Sequence, residues 1–161
     1  MGPRTIVKIN LIAIESSRPD WAEKAFSSYK KKFNKSIDIN WIGLKPLSRN
    51  RNYNSAEIVE KESQILFSKV KEKDLCITLD RKGKELNTDK LRFKFDDWTS
   101  SSRNISFIIG GPDGLSEDLL KKSNFCWSLS ELTFPHSIVP VLIIEQLYRV
   151  WSITQNHPYH K

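Results

Sequence analysis

Short apolar, β-branched runs alternate along this chain with stretches whose apolar residues recur at helical spacing. No other feature constrains the fold as much. Thr5–Ile14 (TIVKINLIAI), Ser36–Leu44, Leu75–Asp80 and Ile105–Ile109 read as strands. Phe125–Phe134 alternates around Trp127 and Leu129 and is a last strand or an extended loop. Between them lie Pro19–Phe33, Asn54–Val70, the weaker Thr88–Trp98, the short Leu115–Lys122 and the long Ile138–Ile153, all read as helices. Strands separated by helices predict an α/β fold with a mostly parallel sheet flanked by helices. A length of 161 residues suits one domain, 1–161, with a core of its own.

The last helix and the tail behind it stand apart. Ile138–Ile153 is apolar nearly all round, which predicts burial on almost every side, by the sheet on one face and a partner subunit on the other. Its polar exceptions are Glu145, Gln146, Arg149 and Ser152. Glu145, Arg149 and Ser152 fall at i, i+4, i+7 and form a narrow stripe, either a simple Glu–Arg surface pair or, as so apolar a helix favours, a functional stripe. The tail carries Trp151, His157, Tyr159 and His160 where small, charged residues are the usual ending. Such a tail caps a core or finishes a site.

Composition bounds the function. Twenty-six Lys and Arg against 19 Asp and Glu leave a formal charge of +7, which points to an anionic partner, foremost nucleic acid. No apolar run reaches membrane-spanning length, and no signal peptide precedes the first strand, so a cytoplasmic protein with no membrane partner is expected. Cys76 and Cys126 sit in apolar runs and read as buried, inert thiols of a reducing compartment. Two Cys and three His with no close Cys pair predict no metal site.

Three segments could carry chemistry. Gly110-Gly111-Pro112-Asp113-Gly114 lies between a strand and a helix, where glycines let backbone N–H groups approach a ligand. It lacks the lysine and spacing of a phosphate-binding loop and the G-x-G-x-x-G of a dinucleotide site, so it is equally a plain turn. Ser128–His136 (SLSELTFPH) could hold an adenine by backbone amides and apolar contacts. His136 is then a ligand or RNA contact, or caps the long helix. Leu44–Asn54 holds Lys45, Arg49, Arg51 and Tyr53, and is a solvated connection or a basic RNA-binding finger with a stacking ring.

Three segments in order, FIIGGPDGL, WSLSELTFPH and EQLYRVWSITQNHPYH, together with Leu79-Asp80 and Gly83-Lys84, resemble the RlmH-type ribosomal RNA methyltransferases of the SPOUT class. The resemblance is strong after about position 75 and loose before it. It implies a SPOUT domain with a C-terminal trefoil knot, working as a homodimer. It implies S-adenosyl-L-methionine as methyl donor, bound by Leu79, Gly110 and the run Leu129, Ser130, Glu131, Leu132, Thr133 and Phe134. The reaction implied is methylation of N3 of a pseudouridine in 23S ribosomal RNA, in the helix 69 stem-loop, on the assembled ribosome. Methyl transfer from a sulfonium needs an aligned acceptor nitrogen, and that nitrogen must lose its proton. At the matching positions Arg149 would stabilise the anion and contact RNA, and Tyr159 or His160 would orient the base or take its proton.

Two departures stand out. Pro140 occupies a position where members of the family it resembles usually carry Arg, and the first strand runs Ala13-Ile-Glu-Ser-Ser-Arg-Pro19, without their usual Val-Gly-Lys. Both leave the donor segments intact and bear on RNA affinity and rate. The competing reading is a catalytically weak or inactive knotted RNA-binding module. A phosphate-binding nucleotide enzyme would need more than Asp113 beside the glycine turn.

Overall fold

The computed structural model describes residues 5–49, 53–101 and 103–160. The elements run β1 (Val7–Ile14), α1 (Asp20–Lys30), β2 (Ile37–Leu44), α2 (Ser55–Ser68), β3 (Leu75–Glu85), α3 (Thr88–Ser100), β4 (Ile105–Ile109), α4 (Glu117–Lys122), β5 (Phe125–Ser128) and α5 (Val139–Thr154), then a 3-10 turn at Pro158–His160. The strands form one sheet in the order β2-β1-β4-β3-β5, with every neighbouring pair parallel.

Strand periodicity divides the core into two layers. Ile9, Leu11 and Ala13 of β1, with Ile105, Phe107 and Ile109 of β4, face α1, α3 and α5. Ile12, Ile14, Cys76 and Ile108 face α2 and α4 through Leu66 and Leu119. All five residues of β4 are buried, as expected of a parallel strand covered on both sides. Three helices start where polar side chains cap them. Asn54, Asn87 and Ser116 accept the N–H of Glu57, Lys90 and Leu119. Both cysteines are free, and burial pushes the Cys76 thiol up to about 11 and raises that of Cys126.

Three expectations change or are narrowed. First, β3 does not stop at Asp80. It breaks register after Leu79 and pairs again with β5 through Lys84 and Glu85. Gly83 permits this return, since a Cβ there would stand 2.7 Å from the Cys126 carbonyl. Second, the open choice at Phe125–Phe134 divides: β5 ends at Ser128 and Leu129–Phe134 is the extended loop. Third, the apolar circumference of α5 is largely covered inside the chain. Ile143, Ile144, Leu147 and Val150 are fully buried among the sheet, α1 and α3. Val141 and Leu142 are half-buried. Pro140 is buried in the first turn, where a missing N–H costs no helical bond. Ser152 is also buried, its hydroxyl donating to the Arg149 carbonyl at 2.6 Å, so it leaves the polar stripe.

The tail turns back on its own helix. Asn156 adopts a left-handed φ of 55°, and the His157 N–H donates to the Ser152 carbonyl at 2.8 Å. That reversal brings the Tyr159 ring to 4.7 Å from Tyr148, edge to face.

Candidate active site

A cleft of about 630 Å³ opens at the carboxyl ends of β3, β4 and β5. Open parallel sheets place ligand sites at that end, and the volume suits a small molecule. All eight donor residues expected from sequence line it: Leu79, Gly110, Leu129, Ser130, Glu131, Leu132, Thr133 and Phe134. His136 joins them, exposed at the mouth just before α5. Trp127 and Ile109 complete the apolar side with Ser128 beside them, and Asp80, Arg81 and Lys82 stand at the outer wall. The last three went unnamed as site residues, although they fall inside the L-D-x-x-G-K stretch that signals them.

The glycine turn forms the opposite wall. Gly114 N–H donates to the Gly111 carbonyl at 3.0 Å, with Pro112 and Asp113 between them. Gly114 has φ of 83°. A Cβ on Gly110 would lie 2.8 Å from the Gly114 backbone, so a side chain there displaces the turn itself. Across the cleft, the Ser130 hydroxyl accepts the Leu132 N–H at 3.0 Å, and its carbonyl accepts from the Ser128 hydroxyl at 3.1 Å. Arg81 donates to the Thr133 hydroxyl at 3.3 Å, tying the outer end of β3 to the loop. The arrangement offers an apolar floor, a close-set backbone and a hydroxyl-rich rim. That set of groups fits an adenosine-bearing ligand. Among the described residues no cluster of His, Cys, Asp and Glu could hold a metal ion.

The residues expected to act on the acceptor lie elsewhere. Val139 lines the cleft at the start of α5, and Arg149 follows ten residues later, about 15 Å along the helix. Arg149 donates to Glu145 at 2.6 Å and 3.1 Å from two nitrogens. The Tyr159 hydroxyl lies 2.9 Å from that of Tyr29 and donates to Glu145 at 3.2 Å. Burial, the bond to Tyr29 and the Glu145 charge raise its pKa well above the ordinary tyrosine value. In this docked position Tyr159 is a proton donor. The His160 side chain lies outside the described residues. Within one chain, therefore, the two groups of candidate residues are not brought together.

The basic loop is also only partly as expected. Lys45 is exposed, Arg51 lies outside the described residues, and Arg49 is paired with Asp113 at 3.1 Å. The Tyr53 ring is covered on one face by the Lys61 ammonium at 4.2 Å.

Residues 7–160 match the family described as predicted SPOUT methyltransferase. A protein of Coxiella burnetii named ribosomal RNA large subunit methyltransferase H is 39% identical over 155 residues, 96% of this chain and all of its own length. A Legionella pneumophila protein of the same name is 39% identical over 156 residues, 97% of this chain and all of its own. One from Hydrogenovibrio crunogenus is 36% identical over 155 residues, 96% of this chain and 99% of its own.

Proposed function

Because this chain belongs to the SPOUT methyltransferase family, we propose that it methylates N3 of a pseudouridine in the helix 69 stem-loop of 23S ribosomal RNA. The methyl donor is S-adenosyl-L-methionine, whose sulfonium supplies an activated methyl group. The observation that carries this reading is the convergence of Leu79, Gly110 and the loop Leu129–Phe134, three separate segments, on one cleft. Apolar Leu79, Ile109 and Trp127 cover an adenine, while the Gly110–Gly114 turn brings main chain close to the ligand. Donor and acceptor are then held in line, which is most of what the reaction asks.

The acceptor-side residues complete the site from a second copy. The distance from the cleft to Arg149 and Tyr159 in one chain supports a homodimer in which the partner's α5 end and tail face the donor. Half-buried Val141 and Leu142 are the apolar surface left for that contact. Arg149 stabilises the N3 anion and contacts RNA, Tyr159 orients the base as a hydrogen-bond donor, and His160 orients it or accepts its proton. The net charge of +7 suits an RNA substrate. The reading includes one domain, the C-terminal knot and a cytoplasmic setting with no membrane. Among the described residues no helix is long and apolar enough to cross one.

The deciding experiment is methylation of ribosomes and of naked ribosomal RNA with labelled S-adenosylmethionine, with the product nucleoside identified by mass spectrometry. Label in 3-methylpseudouridine supports the proposal. Donor binding and RNA binding without turnover would favour the inactive RNA-binding module, for which Pro140 in place of Arg is the sequence argument.

A further inference from the structure

Glu62 of α2 is 1% exposed, more deeply buried than any other charged residue described, and the chemistry above gives it no role. Its Oε2 accepts the Leu47 N–H at 3.0 Å, which holds the basic loop. Its Oε1 has no hydrogen-bond partner among the described residues. That oxygen lies 3.8 Å from Nη2 of Arg49, and a Cβ on Gly111 would come within 3.1 Å of it. The same Arg49 nitrogen donates to Asp113 at 3.1 Å. Beside Glu62, the Ser63 hydroxyl accepts the Ser116 N–H at 2.9 Å. Two consecutive α2 residues thus grip both the loop and the far end of the glycine turn.

We propose that Glu62 and Arg49 are positioning residues that clasp the 45–49 loop onto the Gly110–Gly114 turn, so that Arg49 serves donor binding rather than an RNA phosphate. This rests on the donor cleft of the proposed function. A carboxylate buried beside Ile14 and Leu66 is costly unless a cation and hydrogen bonds compensate it. Arg49 supplies that cation and carries it to Asp113 on the cleft wall. An arginine shared by two carboxylates sits in a cluster of net negative charge, which repels phosphate. Without Arg49, the buried Oε1 of Glu62 loses its neighbouring cation, and the cost loosens Gly111 and the loop together.

The test compares wild type, Arg49→Ala, Glu62→Gln and the double variant. Hydrogen exchange at the Gly114 and Ser116 amides is read with no ligand present. S-adenosylhomocysteine affinity is read by calorimetry, and binding to a ribosomal stem-loop RNA is followed against salt. Arg49→Ala should speed exchange at both amides by roughly tenfold. It should weaken S-adenosylhomocysteine roughly threefold to tenfold and leave the RNA salt slope unchanged. In the double variant the neutral amide still accepts from Leu47 and needs no cation. Exchange and affinity should therefore return to within about twofold of wild type. Two results overturn the proposal. One is a salt slope that falls by about one unit in Arg49→Ala while exchange is unchanged. The other is a double variant no better than Arg49→Ala. Failure of the wild type to bind S-adenosylhomocysteine would count against the donor reading, while the exchange data would still decide the clasp.

Discussion

The two ends of α5 are built on different principles. At its start, the cleft is made of main chain, with glycines where backbones meet and a loop held by short serine hydrogen bonds. At its far end, side chains do the work: Phe33, Tyr148, Trp151 and Tyr159 pack ring against ring, and Glu145 binds both Arg149 and Tyr159. A site made of backbone is shaped before its ligand arrives. A site made of paired side chains must exchange those partners before it can act on anything else. The cleft end is therefore open within one chain, whereas the Glu145, Arg149 and Tyr159 end is closed on itself; under the proposed function, an incoming base would have to open it.

The largest expected effect attacks the backbone end. Gly110→Val should abolish the calorimetric signal for S-adenosylhomocysteine, because its Cβ meets the Gly114 backbone. Wild-type heats would mean that the turn does not form the donor wall. Next comes the tail. Deleting residues 157–161 should abolish methyl transfer and cost about 1–3 kcal/mol of stability by denaturant titration, since Tyr159 leaves an aromatic cluster. Donor affinity should stay within about twofold, because the cleft lies at the other end of α5. A truncated protein with full activity would place the acceptor chemistry away from the tail.

A subtler pair of variants tests the second copy. Ile144→Asp should give insoluble protein, since its site is fully buried within the chain. Leu142→Lys, at a half-buried position, should instead yield a folded monomer in sedimentation, with donor binding kept and turnover lost. An active Leu142→Lys monomer would join the two ends within one chain. The smallest effect is a pH dependence. The folded pKa of Tyr159 is raised, so its contribution is fully present below the ordinary tyrosine value of about 10 and is lost as pH climbs through the folded value. The melting-temperature difference between wild type and Tyr159→Phe should be flat from neutral pH and shift against wild type in the alkaline range. A difference that already changes near neutrality would mean that another group holds the tail.

How much was legible in the chain depended on which force acted at each residue. The runs at β1, β2 and β4 could be read because burial of alternate or all side chains writes itself into hydropathy. The continuation of β3 through Arg81–Glu85 could not, since main-chain pairing to β5 holds residues whose side chains are mostly exposed. Alternation around Trp127 and Leu129 left strand or loop open for Phe125–Phe134, and Leu132, 68% exposed beside the cleft, belongs to the loop. The apolar circumference of α5 was read correctly as buried, but its cover comes mainly from α1, α3 and the sheet. The lining of the cleft was legible as three motifs because Leu79, Gly110 and Leu129–Phe134 each sit in a contiguous segment. The pairing of Arg49 with Asp113 was not, because it spans 64 positions and neither residue is unusual where it stands.

The position of β4 has a consequence for how the chain reaches this state. As it leaves the ribosome, β1 can pair with β2 once residue 44 has emerged, and one of its edges is then satisfied. Its other edge waits for Ile105–Ile109, which arrive about 60 residues after β2 is complete. Until then the sheet presents an open, strongly apolar edge at what will become its centre, the kind of surface that recruits foreign strands. Closing so long a loop before any contact rewards it predicts that pairing of β1 with β4 comes late in folding. Nascent chains arrested between residues 44 and 105 should therefore depend most on chaperones.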